Sequence, residues 1–413
     1  KGLRTATQDL SRAGRVVGGA VALAFGYAVK RAAEFDQAMR YVNTIAKKNE
    51  GQFRAMKDEV RALSNELGKP APEVAAGMYQ TLSSGFTDAA EALEILSVAG
   101  RAAVAGNAEM GESVKVLTGA LNAYGKSSKD ASHFSDVLFK TVELGVVEFP
   151  ELAQGLGEVT AVAAPLGVSI EEVGAAISAL TLVGQPAAIA MTALYNALNN
   201  YIKPSSEAKK LSKELGLDLS SAHLKAVGFA AALKELTAAV GDDEEKMAVL
   251  FGGIRELRAI LPLTGSAAGK FNDAITAMGQ SAGATGDSFS EQKKGLAFQL
   301  NQTKIRLQNV ATVMGEDLTP SVRTLNQALD KLIKGLEGMD VPQRKFLEGL
   351  AAAALAGSGV VVVFAAVVRG LETLSGAGKG AIIVLSRLNP IFLALVGGLA
   401  LLGKISRDMS HAI

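Results

Sequence analysis

Residues 51–70, GQFRAMKDEVRALSNELGKP, set the pattern from which the rest of the chain can be read. Met56, Val60, Leu63 and Leu67 recur at steps of four and three, which puts them on one face of an α-helix. Gly68, Lys69 and Pro70 then end it, because Gly accepts a left-handed cap and Pro cannot continue a helix. The same grammar continues outward. From Glu34 to about Leu263 short amphipathic runs alternate with stops, and Gly85, Gly106, Gly125, Gly167 and Gly216 each follow an apolar-periodic run, where a left-handed C-cap is expected. Residues 34–263 are therefore predicted to form a compact multi-helix domain in an all-α protein. Helix should exceed roughly 65% of residues and regular strand stay below about 5%, far from the usual soluble mixture.

Composition points the same way. The chain has 413 residues, 49% of them hydrophobic, yet no Trp and only 5% aromatics. Ala, Leu and Val dominate, so cores must form by close approach of helices rather than around large anchors, and Ala and Leu are strong helix formers. The 44 Gly residues are frequent enough to keep most helices short. With no Cys, a disulfide framework, a thiolate nucleophile and cysteine metal sites are excluded.

The net charge of +1 hides a segregation. Residues 1–31 carry six Lys or Arg against one Asp, and residues 341–413 carry seven against three acids. The flanks are thus +5 and +4, and the middle is about −8. Basic flanks beside apolar segments suit anionic membrane surfaces and nucleic acid alike, or simply solvated charge.

Five segments result. Residues 1–33 are an apolar, basic N-terminal helix, in which the uncharged run 16–29 is shorter than the ~20 residues that span a bilayer. The chain starts at Lys1 rather than Met and shows no small-residue cleavage site, so it reads as a processed product or part of something longer, without a signal peptide. Residues 34–263 are the helical domain. Residues 264–295 are richer in Gly, Ser and Thr and read as a loose connector around one short helix, a domain boundary. Residues 296–340 are heptad-patterned: Leu296, Leu300, Thr303, Leu307, Val310 and Met314 step by four and three, and Leu318, Val322, Leu325, Leu329, Leu332, Leu336 and Met339 repeat the alternation. Such a narrow stripe is the seam of a coiled coil. The two runs differ in phase by one residue across Gly315, Glu316 and Asp317, and Thr319-Pro320 resembles a cap and first-turn proline, so two helices with a joint are expected.

Residues 341–413 are the most hydrophobic. Gly349–Val368 is twenty residues without a charge, and Gly380–Gly403 is twenty-four whose only charge is Arg387. Both are long enough to cross a membrane, although Asn389-Pro390 would break the second. They read as a hydrophobic helical hairpin, with Val360, Val361, Val362, Val363, Phe364, Ile391, Phe392 and Leu393 as its membrane-active positions; burial in the core of an oligomer is the alternative.

The usual catalytic constellations do not form. His133, His223 and His411 are far apart, without a second imidazole at helical spacing, so no metal site and no cofactor are expected. Gly265-Ser-Ala-Ala-Gly269-Lys270 has three residues between its glycines where a phosphate loop needs four, and Phe271 stands where Ser or Thr would bind magnesium. Gly376-Ala-Gly378-Lys379-Gly380 fails likewise, Gly155-Leu-Gly157 lacks a third glycine, and there is no GxSxG elbow. Asp242, Asp243, Glu244 and Glu245 read as the solvated start of a helix, where carboxylates complement the dipole. The protein is expected not to be an enzyme.

From about 34 to 340 the chain resembles the TP901-type core region of phage tail tape measure proteins. The likeness begins at Phe35-Asp36-Gln37-Ala38-Met39 and Val42, passes Leu67-Gly68, Ala75 to Leu82 and Gly85, and is densest from Pro150 to Pro204. There Leu152-Ala153, Val162 to Pro165, Leu166-Gly167-Val168-Ser169, Ala179-Leu180, Gly184, Met191 to Leu194, Leu198 and Lys203-Pro204 fall in the family's order. Leu215-Gly216-Leu217, Leu250-Phe251-Gly252 and Leu318-Thr319-Pro320 follow. Gln185-Pro186-Ala187 and Tyr195 depart from the pattern. The resemblance implies a homo-oligomer, its copies a multiple of three, in the lumen or tip of a phage tail. It would contact tail tube and tail tip proteins, help set tail length, and leave to help DNA cross the host membrane while touching DNA only transiently. The competing reading, a bacterial pore-forming or envelope-active helical protein, would be separated by gene neighbourhood: a tail tube gene just upstream decides against it.

Overall fold

The computed structural model describes residues 27–241 and 243–337; for 254 and 318–337 it describes the backbone alone. Among the described residues every regular element is helical. The chain divides into two compact units, residues 34–309 and the remainder, of which 27–33 and 310–337 are described.

The first helix, α1 (27–46), carries Phe35, Met39 and Val42 at steps of four and three, and all three are fully buried. The segment read first becomes α2 (Glu50–Leu67), with Met56, Val60, Leu63 and Leu67 inside. Asn49 caps its start in a reciprocal capping box with Gln52, and Gly68 closes it at φ 65°, the left-handed conformation that costs Gly no Cβ clash. Gly85, Gly125, Gly167 and Gly216 also have positive φ. Gly106 does not: its φ is −94°, and the next residue, Asn107, takes the positive angle (φ 49°) instead. Asn tolerates that region better than most side chains, so the stop is displaced by one residue.

Helices α3 (Ala71–Ser83), α4 (Ala89–Ala105), α5 (Met110–Ala123), a 3₁₀ turn (Ser128–Asp130), α6 (Ala131–Leu144), α7 (Phe149–Ala163), α8 (Ile170–Leu182) and α9 (Ala187–Ile202) follow. α5 and α9 pack on α7, and α6 on α8. Small residues have their use at the crossings. A Cβ on Gly77 would come within 2.8 Å of Leu96 and 3.0 Å of Met110, and one on Gly155 within 2.7 Å of Met191. Small hydroxyls bridge the close approaches: Ser178 Oγ donates to the Thr141 carbonyl across the α6–α8 crossing at 3.0 Å, and Thr181 Oγ1 accepts from the Val146 amide at 3.0 Å. Close packing with satisfied hydroxyls replaces bulk.

The second half adds α10 (Ser206–Glu214), α11 (Ser221–Val227), α12 (Phe229–Val240), α13 (Glu244–Phe251) and α14 (Ile254–Thr264). In place of the loose connector expected around one short helix, the next stretch is ordered. Residues 264–295 hold two helices, α15 (Ala268–Met278) and α16 (Ala284–Lys294), inside the 34–309 unit. Ala267, Phe271, Ala274 and Met278 repeat the four-three-four spacing and are buried, with the Phe271 ring edge-on to Phe229 at 6.1 Å. The glycines there punctuate helices rather than loosen a loop. Asp136 on α6 reaches 147 residues along the chain to cap α16, accepting from the amides of Gly283 (2.7 Å) and Thr285 (2.9 Å), while Ser135 hydroxyl meets Thr285 Oγ1 at 3.0 Å.

The last element, α17, runs unbroken from Leu296 to Glu337. Two helices with a joint were expected; one helix is present. Val310, Met314, Leu318 and Val322 are spaced by three successive steps of four, and such a stutter in a heptad pattern is absorbed by local unwinding without a break. Pro320 forgoes its own backbone bond within this helix. In the smaller unit Gly315 lies against Ala28 and Ala32, and a Cβ there would strike the Ala28 carbonyl.

Candidate functional site

Surface chemistry among the described residues is mostly that of helix ends. Asp243 caps α13, accepting from the Lys246 amide at 3.0 Å, and hydrogen bonds from the Lys246 side chain and backbone hold its pKa below the ordinary carboxylate value. Partial burial works against the Asp36 carboxylate, but hydrogen bonds from Arg40 (2.6 Å) and Lys57 (3.1 Å), with their charges, outweigh it and hold the pKa low. Lys57 Nζ also stands 5.6 Å from the centre of the Phe35 ring, so the aromatic and the acid of the N-terminal motif form one anchor of α1 on α2. Burial, with the charges of Glu171 and Glu172, raises the pKa of Tyr124, whose hydroxyl donates to the Val168 carbonyl at 2.9 Å.

The histidines do not converge. His133 pairs with Glu171 at 2.7 Å and His223 with Glu235 at 2.6 Å; His411 lies outside the described residues. No group of three His, Cys, Asp or Glu able to hold a metal occurs among the described residues. Gly265–Lys270 is the end of α14 and the start of α15, with Ala267 buried, not an open loop.

The feature that stands out is the first half of α17, where the usual distribution is inverted. Its inner face is polar. The last turn of α2 leaves carbonyls without intrahelical partners, and amide side chains of α17 supply the donors. Asn301 Nδ2 donates to the Gly68 carbonyl (2.8 Å), and Gln302 Nε2 to the Asn65 carbonyl (2.9 Å). Asn309 Nδ2 reaches Ser64 Oγ (3.0 Å) and Asn65 Oδ1 (2.8 Å). Ile305, 3% exposed, and Phe298, which lies over Gly68, are the apolar members of this face. The outer face carries Leu296, Leu300 and Leu307, which are 71, 62 and 67% exposed. These are the leucines of the first heptad run. The inner amides were not anticipated, although Asn301, Ile305, Asn309 and Thr312 form a second stripe at helical spacing. In the smaller unit Val310, Val313 and Met314 are also exposed.

The expected oligomer seam, Leu318, Val322, Leu325, Leu329, Leu332 and Leu336, lies on the backbone of α17, and its side chains and Met339 lie outside the described residues. So do Val360–Val363, Phe364, Ile391, Phe392 and Leu393. Among the described residues no helix is long and apolar enough to cross a membrane.

Residues 57–252 match the family model described as phage-related minor tail protein. The match covers just under half of the chain and, with the all-helical fold, makes it similar to phage tail proteins. More particularly, it is similar to tape measure proteins. It is 26% identical to the tape measure protein of Pneumococcus phage Dp-1 over 384 residues, 90% of this chain and 32% of that protein. It is 24% identical to the probable tape measure protein of Escherichia phage P2 (76% of this chain, 40% of the relative). It is 23% identical to that of Clostridium phage phiCD119 (79% and 36%). The chain therefore spans about a third of the length of the curated relatives it matches. No solved structure matches.

Proposed function

We propose that this chain is part of a tape measure scaffold: a non-enzymatic homo-oligomer, its copies a multiple of three, held inside the phage tail tube in contact with tube and tip proteins. The observation that carries the reading is the alignment of 90% of the chain with a tape measure protein. The 42-residue helix α17 supports it, because at 1.5 Å per residue it reaches roughly 63 Å, the kind of element that can report distance along a tube. The compact unit 34–309 cannot extend in that way and serves as an anchor. The copies meet along Leu318, Val322, Leu325, Leu329, Leu332, Leu336 and Met339, since a narrow a/d stripe buries fully only against an equivalent stripe.

After receptor engagement the chain leaves the tube, and 349–368 and 380–403 enter the host membrane as a helical hairpin, touching DNA only transiently. Their length and charge content support this step. Arg387, seven residues into the second segment, can snorkel to the headgroups.

Single cysteines at Leu325 and Leu332 test the seam in a chain that has none of its own. On oxidation both positions are expected to give covalent oligomers of this chain; monomers alone would reject the seam.

A further inference from the structure

Residues 296–309 of α17 are held to α2 by contacts of an unusual kind for a helix lying on a core. The donors are the side-chain amides of Asn301, Gln302 and Asn309, and the acceptors are carbonyls and short polar side chains in the last turn of α2. Such a bond exchanges for water at little net cost, whereas apolar burial is lost outright when a helix departs. The apolar share is small. Ile305 is buried outside the continuous core of the 34–309 unit, and among the described residues of 296–309 Phe298 alone packs against that core.

The end of α2 is complete without α17. The Gly68 and Lys69 amides both donate to the Ser64 carbonyl, and Ser64 Oγ donates to the Lys69 carbonyl at 2.6 Å. The carbonyls that Asn301 and Gln302 reach belong to a helix end, where water ordinarily serves as donor. Departure of α17 therefore leaves these acceptors to solvent rather than to a dry interior. A pivot is present as well. Gly295 separates α16 from α17 in an extended conformation (φ −64°, ψ 132°), and residues 291–297 are all exposed. Phe298 meets Phe289 of α16 edge-on at 6.3 Å, so the one contact with the core lies beside the pivot and the amide bonds lie beyond it.

We propose that residues 296–309 form a strap that detaches from α2 as an intact helix, turning about Gly295, while the domain stays folded. A chain drawn lengthwise then parts α17 from α2 before any helix of the domain opens.

The test is thiol labelling of the purified full chain, which has no Cys of its own. Ile305→Cys reports on the strap, and Val159→Cys, fully buried in α7, on the domain core. Without denaturant, Ile305→Cys is expected to label at least about a hundredfold faster than Val159→Cys. Its rate should barely respond to low urea, the mark of a small local opening. Ser64→Cys, beneath the strap on α2, should follow Ile305→Cys and serves if that variant folds poorly. Replacing Asn301, Gln302 and Asn309 together by Ala should speed labelling at 305 about a hundredfold more, at roughly fivefold per residue replaced, and leave 159 unchanged. Equal rates at 305 and 159, rising together with urea, would overturn the strap. So would an amide variant that leaves 305 unchanged or speeds 159 equally. Hydrogen exchange at 303–308 as fast as the labelling would show unravelling and overturn release as an intact helix.

Discussion

Asp136→Ala lowers the stability of the helical domain by about 2 kcal/mol, the loss expected when one buried amide, that of Thr285, is left without its acceptor and one exposed amide, that of Gly283, turns to water. The carboxylate is 7% exposed and holds the amides of Gly283 and Thr285, the start of α16. Those N–H groups, at the start of the helix, have no intrahelical acceptor, so removing the carboxylate leaves that of Thr285, which is 4% exposed, desolvated. Against a total stability of roughly 5–15 kcal/mol, the loss is large. Asp136→Asn keeps one acceptor and costs about half as much. The measurement is the urea midpoint with its slope unchanged, joined to hydrogen exchange, which should rise first at Gly283, Thr285 and along α16. A loss under about 0.5 kcal/mol would mean that α16 is held by Phe289 and its neighbours alone.

Val362→Lys combined with Val363→Lys leaves tails of normal length and lowers DNA delivery by about a hundredfold or more. Each Lys near the middle of an inserted helix costs about 2.5–3.5 kcal/mol. That penalty arises only when lipid becomes the solvent, so assembly is spared. Tails that fail to assemble would show that the segment's task is packing against protein. Normal infection would remove the membrane step.

The helical domain was legible because its signals are local. Met56–Val60–Leu63–Leu67 and the stop at Gly68 carry their own periodicity and punctuation, and α2 follows them residue for residue. In 264–295 composition and spacing conflict: Ala267, Phe271, Ala274 and Met278 hold the helical period, but the Gly and Ser around them resemble a loop. The joint near Gly315 was inferred from a phase slip that a continuous helix can absorb. What sequence could not give is long-range. Nothing near Asp136 announces a partner 147 residues away, and nothing in Asn309 says that its amide meets Ser64 and Asn65. The heptad leucines were visible as a stripe, whereas the finding that the domain takes the opposite, polar side of that helix needed the fold.

Tail length tests the scaffold reading most directly. An in-frame insertion of about 28 residues, four heptads, within the 318–337 part of α17 should lengthen tails by roughly 40 Å at 1.5 Å per residue. An insertion of the same size at Gly216, an exposed turn of the compact unit, should leave length unchanged, because a surface loop adds nothing along the tube axis. Electron microscopy of both particles gives the answer. Lengthening confined to the helical insertion is the predicted result; equal lengths for both, or no change with the heptads, would contradict the account.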